Sequence, residues 1–418
     1  MPTPQARAHP RAIVVVLGDI GRSPRMLNHA LSLVAHGWHV DLVGYASSTL
    51  PAEARVPALV VCALDDDERA PRPASRLGWA LRAGWRGVGL TGRLLRVLLS
   101  GRAPDVVLVQ NPPGIPTLPV AWLAARLRGS RLVIDWHNFT ASMLALRLGP
   151  RHPLIRAAAT VERWAGRRAD HNFFVSEAMA RHVGAEWSLS GSVFRDRPRQ
   201  VFRAPDPERR AHMRARLFEA AGVAQADGAW RLVVSPTSWT ADEDFGMLLE
   251  AAQSLDAEWR AGIRGLAVVA TGTGPLRAAF EARVAALGLS RVRLATAWLE
   301  ADDYPSAVGS ADAGLSLHDS TSKLDLPMKV MDLFGAGVPV VALDYGACLA
   351  ELVQPGVNGL TFTDVPSLVA ALRVVRDADQ TTLDALGAGA RAAGALRWHE
   401  TWPHEVLPHL GPGPTAPA

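Results

Sequence analysis

Long apolar runs are missing from this 418-residue chain: no window reaches the roughly 18 uninterrupted apolar residues of a membrane-spanning helix. The amino terminus, MPTPQARAHPRAIVVVL, lacks the apolar core and cleavage site of a secretory signal and runs straight into a strand. Cysteine is nearly absent. Cys62 and Cys348 both sit in apolar surroundings, which suits structural thiols in a reducing, cytosolic compartment better than a disulfide. No Cys/His cluster has zinc spacing, and no G-x-G-x-x-G fingerprint is present, so a zinc module and a dinucleotide-dependent dehydrogenase are excluded. Acidic residues disappear between Glu68 and Asp105, where Trp79, Arg82, Trp85, Arg86, Arg93 and Arg96 alternate with leucines. Such a basic, Trp-bearing helical stretch suits an anionic membrane surface, with an inward-packed surface helix as the alternative. Nucleic acid is not expected as a partner, because no recognition motif accompanies the arginines.

What is present is globular: 49% hydrophobic and 20% charged residues over a length that suits two or three domains. Short apolar strands alternate with helical stretches from Ala12 to Ser176, and again from Trp230 to Leu343, which predicts doubly wound parallel sheets. The Pro/Arg-rich segment from Arg195 to Pro207 breaks the pattern. The expected organisation is therefore a Rossmann-like domain over 1–195, a linker over 196–208 and a second such domain over 209–390. A crossing segment and a disordered tail are expected over 391–418. Two such domains facing a central cleft are the α/β architecture of a GT-B glycosyltransferase.

The stretch Leu315–Val341, LSLHDSTSKLDLPMKVMDLFGAGVPVV, is the most informative. A strand, a polar loop, a helix opened by Pro327 and a further strand make a βαβ crossover, whose loop lies where open α/β sheets bind ligands. Free helix N–H groups beside Lys323 and Lys329 suit a diphosphate, although an ordinary crossover with solvated lysines has the same pattern.

The blocks GDIGRSPRMLNHALSLVAHGWHVDLVGY, LVQNPPGIPTL, IDWHN, SPTSWTADEDF, TGTGPL, GSADAGLSLHDSTSKLDLPMKVMDLFGAGVPVVAL and ELVQPGVNGLTF occur in that order between about residue 12 and residue 363. They resemble the chitobiosyldiphosphodolichol β-mannosyltransferase family, and the Arg-, Ala- and Pro-heavy composition suggests a bacterial member. The resemblance implies an inverting GT-B enzyme that moves mannose from GDP-mannose to N-acetylglucosamine on a diphosphate-linked lipid. It implies no obligatory metal or other cofactor, and a peripheral position on the cytoplasmic face of a membrane. Leu324 stands where retaining relatives of this fold carry a glutamate, which accords with inversion. After Asn138 the chain has Phe139-Thr-Ala-Ser142 in place of the family's Gly-Tyr-Ser.

Within that frame, Lys329 is expected to neutralise the departing diphosphate. Asp332 is expected on the ribose, unless it is merely an exposed helix position. Gly18, Gly21 and Arg22 form a glycine-bearing turn near the diphosphate or acceptor. Ser238, Trp239, Gly272, Gly274, His318, Lys323 and Asp325 complete the expected donor contacts. Inversion needs one base for the acceptor hydroxyl. Asp19 is the first choice for it, with His137 as sugar contact; the reverse assignment stays open, and Glu177 is a weaker third. Thr240 and Glu243 have capping-box spacing, so the acidic trio Asp242–Asp244 is expected to cap a helix. Asp65–Asp67 could suggest metal-binding carboxylates, a reading set aside here because the lysines supply the needed charge. A nucleotide-sugar epimerase, a retaining transferase and a non-catalytic glycan-binding protein are the competing readings.

Overall fold

The structure, a computed structural model, describes residues 9–64, 76–223, 229–300 and 302–411, and within the helix beginning at Arg76 it describes side chains from Gly87 onward. The chain forms two compact units, Met1–Arg195 with Glu400–Ala418, and Asp196–His399.

In the first unit, β1 (Arg11–Asp19), β2 (His39–Tyr45), β3 (Leu59–Ala63), β4 (Val106–Asn111), β5 (Arg131–Trp136), β6 (His171–Phe174) and β7 (Ser192–Val193) build one sheet. The order is β3-β2-β1-β4-β5-β6-β7, parallel throughout. Helices α1 (Pro24–Ala35), α2 (Arg76–Leu99), α3 (Thr117–Arg128), α4 (Thr140–Leu148), α5 (Pro153–Gly166) and α6 (Glu177–Trp187) make the connections. Ala12–Val16 and Val106–Val109 are buried without alternation, as strands covered on both faces must be. Strand order reverses between β1 and β4, the switch point at which open α/β sheets take ligands.

The second unit repeats the plan with β8 (Trp230–Pro236), β9 (Gly265–Thr271), β10 (Val292–Ala297), β11 (Ala313–Ser316), β12 (Val340–Leu343) and β13 (Gly359–Phe362). Their order is β10-β9-β8-β11-β12-β13, again all parallel, with the switch between β8 and β11. Around them lie α7 (Pro207–Ala220), α8 (Phe245–Ala257), α9 (Arg277–Leu287), α10 (Tyr304–Ser310), α11 (Met328–Gly335), α12 (Val365–Asp377) and α13 (Gln380–Ala393). A side chain at Gly314 would place its Cβ 2.2 Å from Leu333 Cδ1, so glycine lets α11 sit directly on β11. That contact sets the position of the lysine-bearing first turn.

The basic segment is only partly accounted for. Leu94 and Leu98 of α2 are buried, Arg93 is half-buried and Arg96 is exposed. Arg128 of α3 donates to the carbonyls of Leu98, Ser100 and Gly101, closing the helix end with a cation as the dipole favours. The carboxyl-terminal half of α2 is thus an inward-packed surface helix. The side chains of Trp79, Arg82, Trp85 and Arg86 lie outside the described residues, as do Asp65–Asp67 and the tail from 412.

After α14 (Trp398–Glu405), α15 (Leu407–Leu410) docks on the first sheet, where His409 stacks on His171 with ring centroids 3.9 Å apart. Burial, with His409 and Arg131 adding to it, holds His171 at about 4, and burial lowers His409 as well. A histidine depressed on folding stabilises the fold above its unfolded value near 6.5 and loses that contribution as pH falls toward 4. Melting scans should therefore show the first unit losing stability between pH 6.5 and 4, with a shallower loss in His409→Leu. Identical pH profiles for the two proteins would contradict the stacking account.

Candidate active site

β5 runs out of the sheet through Asp135-Trp136 into His137. Asp135 is fully buried, and three cationic or imidazole groups converge on it. Arg25 of α1 donates from Nε to Oδ2 at 2.8 Å and from Nη2 to Oδ1 at 2.9 Å. His29 Nε2 lies 3.2 Å from Oδ2, and His137 Nε2 lies 2.9 Å from the same oxygen. Burial opposes the charge on Asp135, but Arg25, His137 and His29 hold its carboxyl well below the usual carboxylate range. His29 is lowered by burial and so is neutral. Its Nδ1 accepts the indole N–H of Trp402 at 2.9 Å, which places the imidazole proton on Nε2, facing the carboxylate. His137, 21% exposed, is the member of this cluster that reaches the surface. With Nε2–H given to Asp135, its Nδ1 is left as a proton acceptor.

The surrounding backbone is held by another buried carboxyl. Glu162 of α5 accepts from Asn111 Nδ2 at 2.8 Å and from Thr140 N at 2.6 Å. Asn111 also donates to Asn138 O, while its own carbonyl accepts from His137 N at 2.9 Å. The ends of β4 and β5 are therefore one hydrogen-bonded platform beneath His137.

Asp19, at the end of β1, is differently engaged. Its Oδ1 accepts from Gly21 N and Ser48 N, both at 3.2 Å, and Oδ2 accepts from Ser48 Oγ. A Cβ on Gly21 would lie 2.8 Å from Ser48 Cβ, so this glycine serves the close approach of two loops. Arg22 is exposed, 3.9 Å from Asp19. Glu177 is exposed and pairs with Arg195 at 3.4 Å. Of the three candidate bases, only His137 is backed by a buried carboxylate.

In the second unit the loops after β8 and β11 are laced together. Glu243 is buried and ion-paired with Lys329 Nζ of α11, and its Oε2 accepts from Thr237 Oγ1 and, at 3.3 Å, from Ser238 N. His318 lies between Asp242 (Nδ1, 3.0 Å) and Asp325 (Nε2, 3.3 Å). Burial opposes its charge, yet the two carboxylates push it up to about 9, so it is an imidazolium at neutral pH. Lys323, in the left-handed region at φ 60°, pairs with Asp319. The chain has just two lysines, and both stand in this segment.

Several expectations are revised by this geometry. Thr240 and Glu243 form no capping box: α8 starts at Phe245, and Asp244 caps it by accepting from Gly246 N at 2.8 Å. That frees Asp242 and Glu243 for His318 and Lys329. Trp239 presents no surface to a ligand, being fully buried, stacked on Phe245 at 4.4 Å and donating to Gly272 O at 3.2 Å. Ser238 beside it is exposed. A Cβ on Gly272 or Gly274 would meet the carbonyl of Thr237 or Ser238 at 2.1 or 2.0 Å, so these glycines seat one loop against another. Asp332 is half-buried rather than exposed and accepts from Tyr304 OH at 3.3 Å. Missed altogether were Arg25, His29 and Trp402. The legible signal was a polar pair at i and i+4 on the otherwise apolar face of α1.

Comparison with known proteins is decisive at the family level. Residues 21–192 match the Glycosyl transferase 4-like domain and residues 232–377 the Glycosyl transferases group 1 family. The chain is 36% identical over 435 residues to the chitobiosyldiphosphodolichol beta-mannosyltransferase of Mus musculus, covering 95% of this chain and 88% of that protein. It belongs to the chitobiosyldiphosphodolichol beta-mannosyltransferase family. A relative from Arabidopsis thaliana, 35% identical over 94% of this chain and 95% of its own length, is named UDP-glycosyltransferase TURAN. Among solved structures, sucrose-phosphate synthase from Thermosynechococcus elongatus superposes with a TM-score of 0.70 at 14% identity, covering 96% of this chain and 97% of that one. The GT-B fold and the assignment as a glycosyltransferase follow.

Asp332 stands out energetically. Burial pushes its carboxyl up to about 8, against the hydrogen bond from Tyr304 and the charge of Arg199. A carboxyl raised on folding leaves stability intact below about 3.8 and drains it as pH climbs toward 8, at about 1.4 kcal/mol per pH unit. Asp332→Asn should therefore melt higher than the parent at pH 7.5, with the gain vanishing near pH 4. A lower melting temperature at pH 7.5 would refute the assignment.

Proposed function

We propose that this chain transfers mannose from GDP-mannose, with inversion, to the 4-hydroxyl of an N-acetylglucosamine on a lipid-diphosphate-linked saccharide. The observation that carries the chemistry is His137, hydrogen-bonded through Nε2 to the buried Asp135 at the end of β5. The acceptor O–H gives its proton to His137 Nδ1 as the oxygen attacks the anomeric carbon. The bond from that carbon to the diphosphate oxygen breaks, and GDP departs with the electron pair. Asp135 orients the imidazole and stabilises the imidazolium that forms. His137 replaces Asp19 as our choice of base, since both Asp19 oxygens are engaged in holding its loop.

Donor binding falls to the second unit in this reading. Lys329, in the first turn of α11, meets the developing charge on the leaving diphosphate, and Glu243 holds the ammonium in place beforehand. Asp332 faces the ribose, and a carboxyl kept at an energetic cost is what a binding role would explain. Lysine supplies the charge that a metal supplies in other transferases, so chelators leave turnover unchanged. In this reading the enzyme works as a peripheral protein at the cytoplasmic face of a membrane, where a nucleotide sugar can meet a lipid-linked acceptor. No helix of the described residues is long and apolar enough to cross one.

The name of the Arabidopsis relative favours a second reading, a uridine donor. Incubation with GDP-, UDP- and ADP-linked sugars decides between them: turnover with GDP-mannose is expected, and activity confined to a non-guanosine donor would overturn the donor assignment. His137→Ala should lower kcat by about 10²–10⁴-fold while leaving donor affinity unchanged. Removing Lys329 alone strands Glu243 in the interior at a cost of about 3–5 kcal/mol, so its role is better tested in the double variant Lys329→Gln/Glu243→Gln. A folded double variant with unimpaired donor binding and turnover would defeat the diphosphate grip.

A further inference from the structure

The first unit carries an apolar surface that neither the fold nor the chemistry above uses. Leu146 is 69% exposed, Leu154 52% and Leu148 40%, all within the hairpin formed by α4 and α5, which pack against each other. Three exposed arginines, Arg147, Arg151 and Arg156, are interleaved with them. From Trp136 to Val161 the sequence contains no aspartate or glutamate, and Glu162, the one carboxyl on the two helices, is fully buried, so no exposed carboxylate on the hairpin offsets that charge. Large aliphatic side chains left in water beside unopposed arginines fit a surface that is apolar below and anionic above.

We propose that the α4–α5 hairpin docks the first unit onto an anionic phospholipid bilayer. The nine residues of α4 extend for only about 14 Å, too short to span a bilayer but enough to lie within its interface. α4 starts three residues beyond His137. Docking here brings the base next to the headgroup layer, where the saccharide of a lipid-linked acceptor emerges. The inference rests on the lipid-linked acceptor proposed above, and it adds a membrane contact distinct from the described half of α2, where Leu94 and Leu98 are buried.

Co-sedimentation of the full chain with vesicles tests this. Phosphatidylcholine vesicles with and without 30 mol% phosphatidylglycerol are compared for the parent, Leu146→Ser/Leu154→Ser, Arg147→Gln/Arg151→Gln/Arg156→Gln, and Arg96→Gln in α2. The parent should prefer anionic vesicles. The arginine triple variant should lose about a hundredfold in partitioning, near fivefold per charge. The leucine variant should lose at least tenfold, and the α2 variant should bind as the parent does, well short of a roughly fivefold loss. Both hairpin variants should keep the parent's melting temperature and its turnover of a short-chain acceptor in solution. Undiminished vesicle binding by either hairpin variant would overturn the proposal. So would parent binding indifferent to lipid charge, or a change of sedimenting mass in place of a change in vesicle binding, which would mark the hairpin as a contact between copies of the chain. Vesicle binding without transfer to any lipid-diphosphate acceptor would sink the proposed function and leave the docking surface standing.

Discussion

A carboxylate with no exposure to water organises the first unit. Asp135 would be intolerable alone in that interior, where an isolated charge loses its hydration and gains nothing in return. Arg25 answers it with two nearly parallel N–H bonds, and two imidazoles complete the shell. The result is geometrically demanding: α1, β5 and the loop after β5 must all be in register for the charge to be matched. Removing Arg25 would leave an uncompensated buried charge, so the cluster enforces a single arrangement more than it adds net stability. The orientation of His137 is a by-product of that enforcement.

The second unit reaches a comparable order with cations that are exposed or half-buried. Lys329, Lys323 and His318 each meet a carboxylate from the loops after β8 and β11. Trp239 and Lys323 hold left-handed backbone that costs a residue with a Cβ roughly 1 kcal/mol or more. Strain of this kind persists only where the surroundings over-determine the loop, and here the loops are over-determined by ion pairs. Their cations are therefore pre-placed at the end of β11 rather than free to wander.

Most of the architecture could be read from apolar runs, because parallel strands buried on both faces announce themselves by composition. The crossover around Lys329 was legible for the same reason, and so were the family blocks. What escaped was pairing across long sequence distance. Arg25 and Asp135 are separated by 110 positions, and nothing local in SPRML or IDWHN says that they meet. Glu243 was misread because Thr-x-x-Glu spacing suits a cap. The helix instead begins after Asp244, whose shorter side chain reaches Gly246 N. Trp239 was taken for a cleft residue because it ends a strand, but Phe245 and Gly272 draw its ring into the core.

The bond from Trp402 to His29 has a temporal side. Its two partners are 373 positions apart, and both lie in the first unit. A growing polypeptide can assemble all seven strands of that unit long before the indole exists. Until the ribosome has passed codon 402, His29 lacks the acceptor role that fixes its proton, and one of the carboxylate's neighbours is unsettled. The buried cluster of the first unit is thus completed only after the whole of the second unit has been translated.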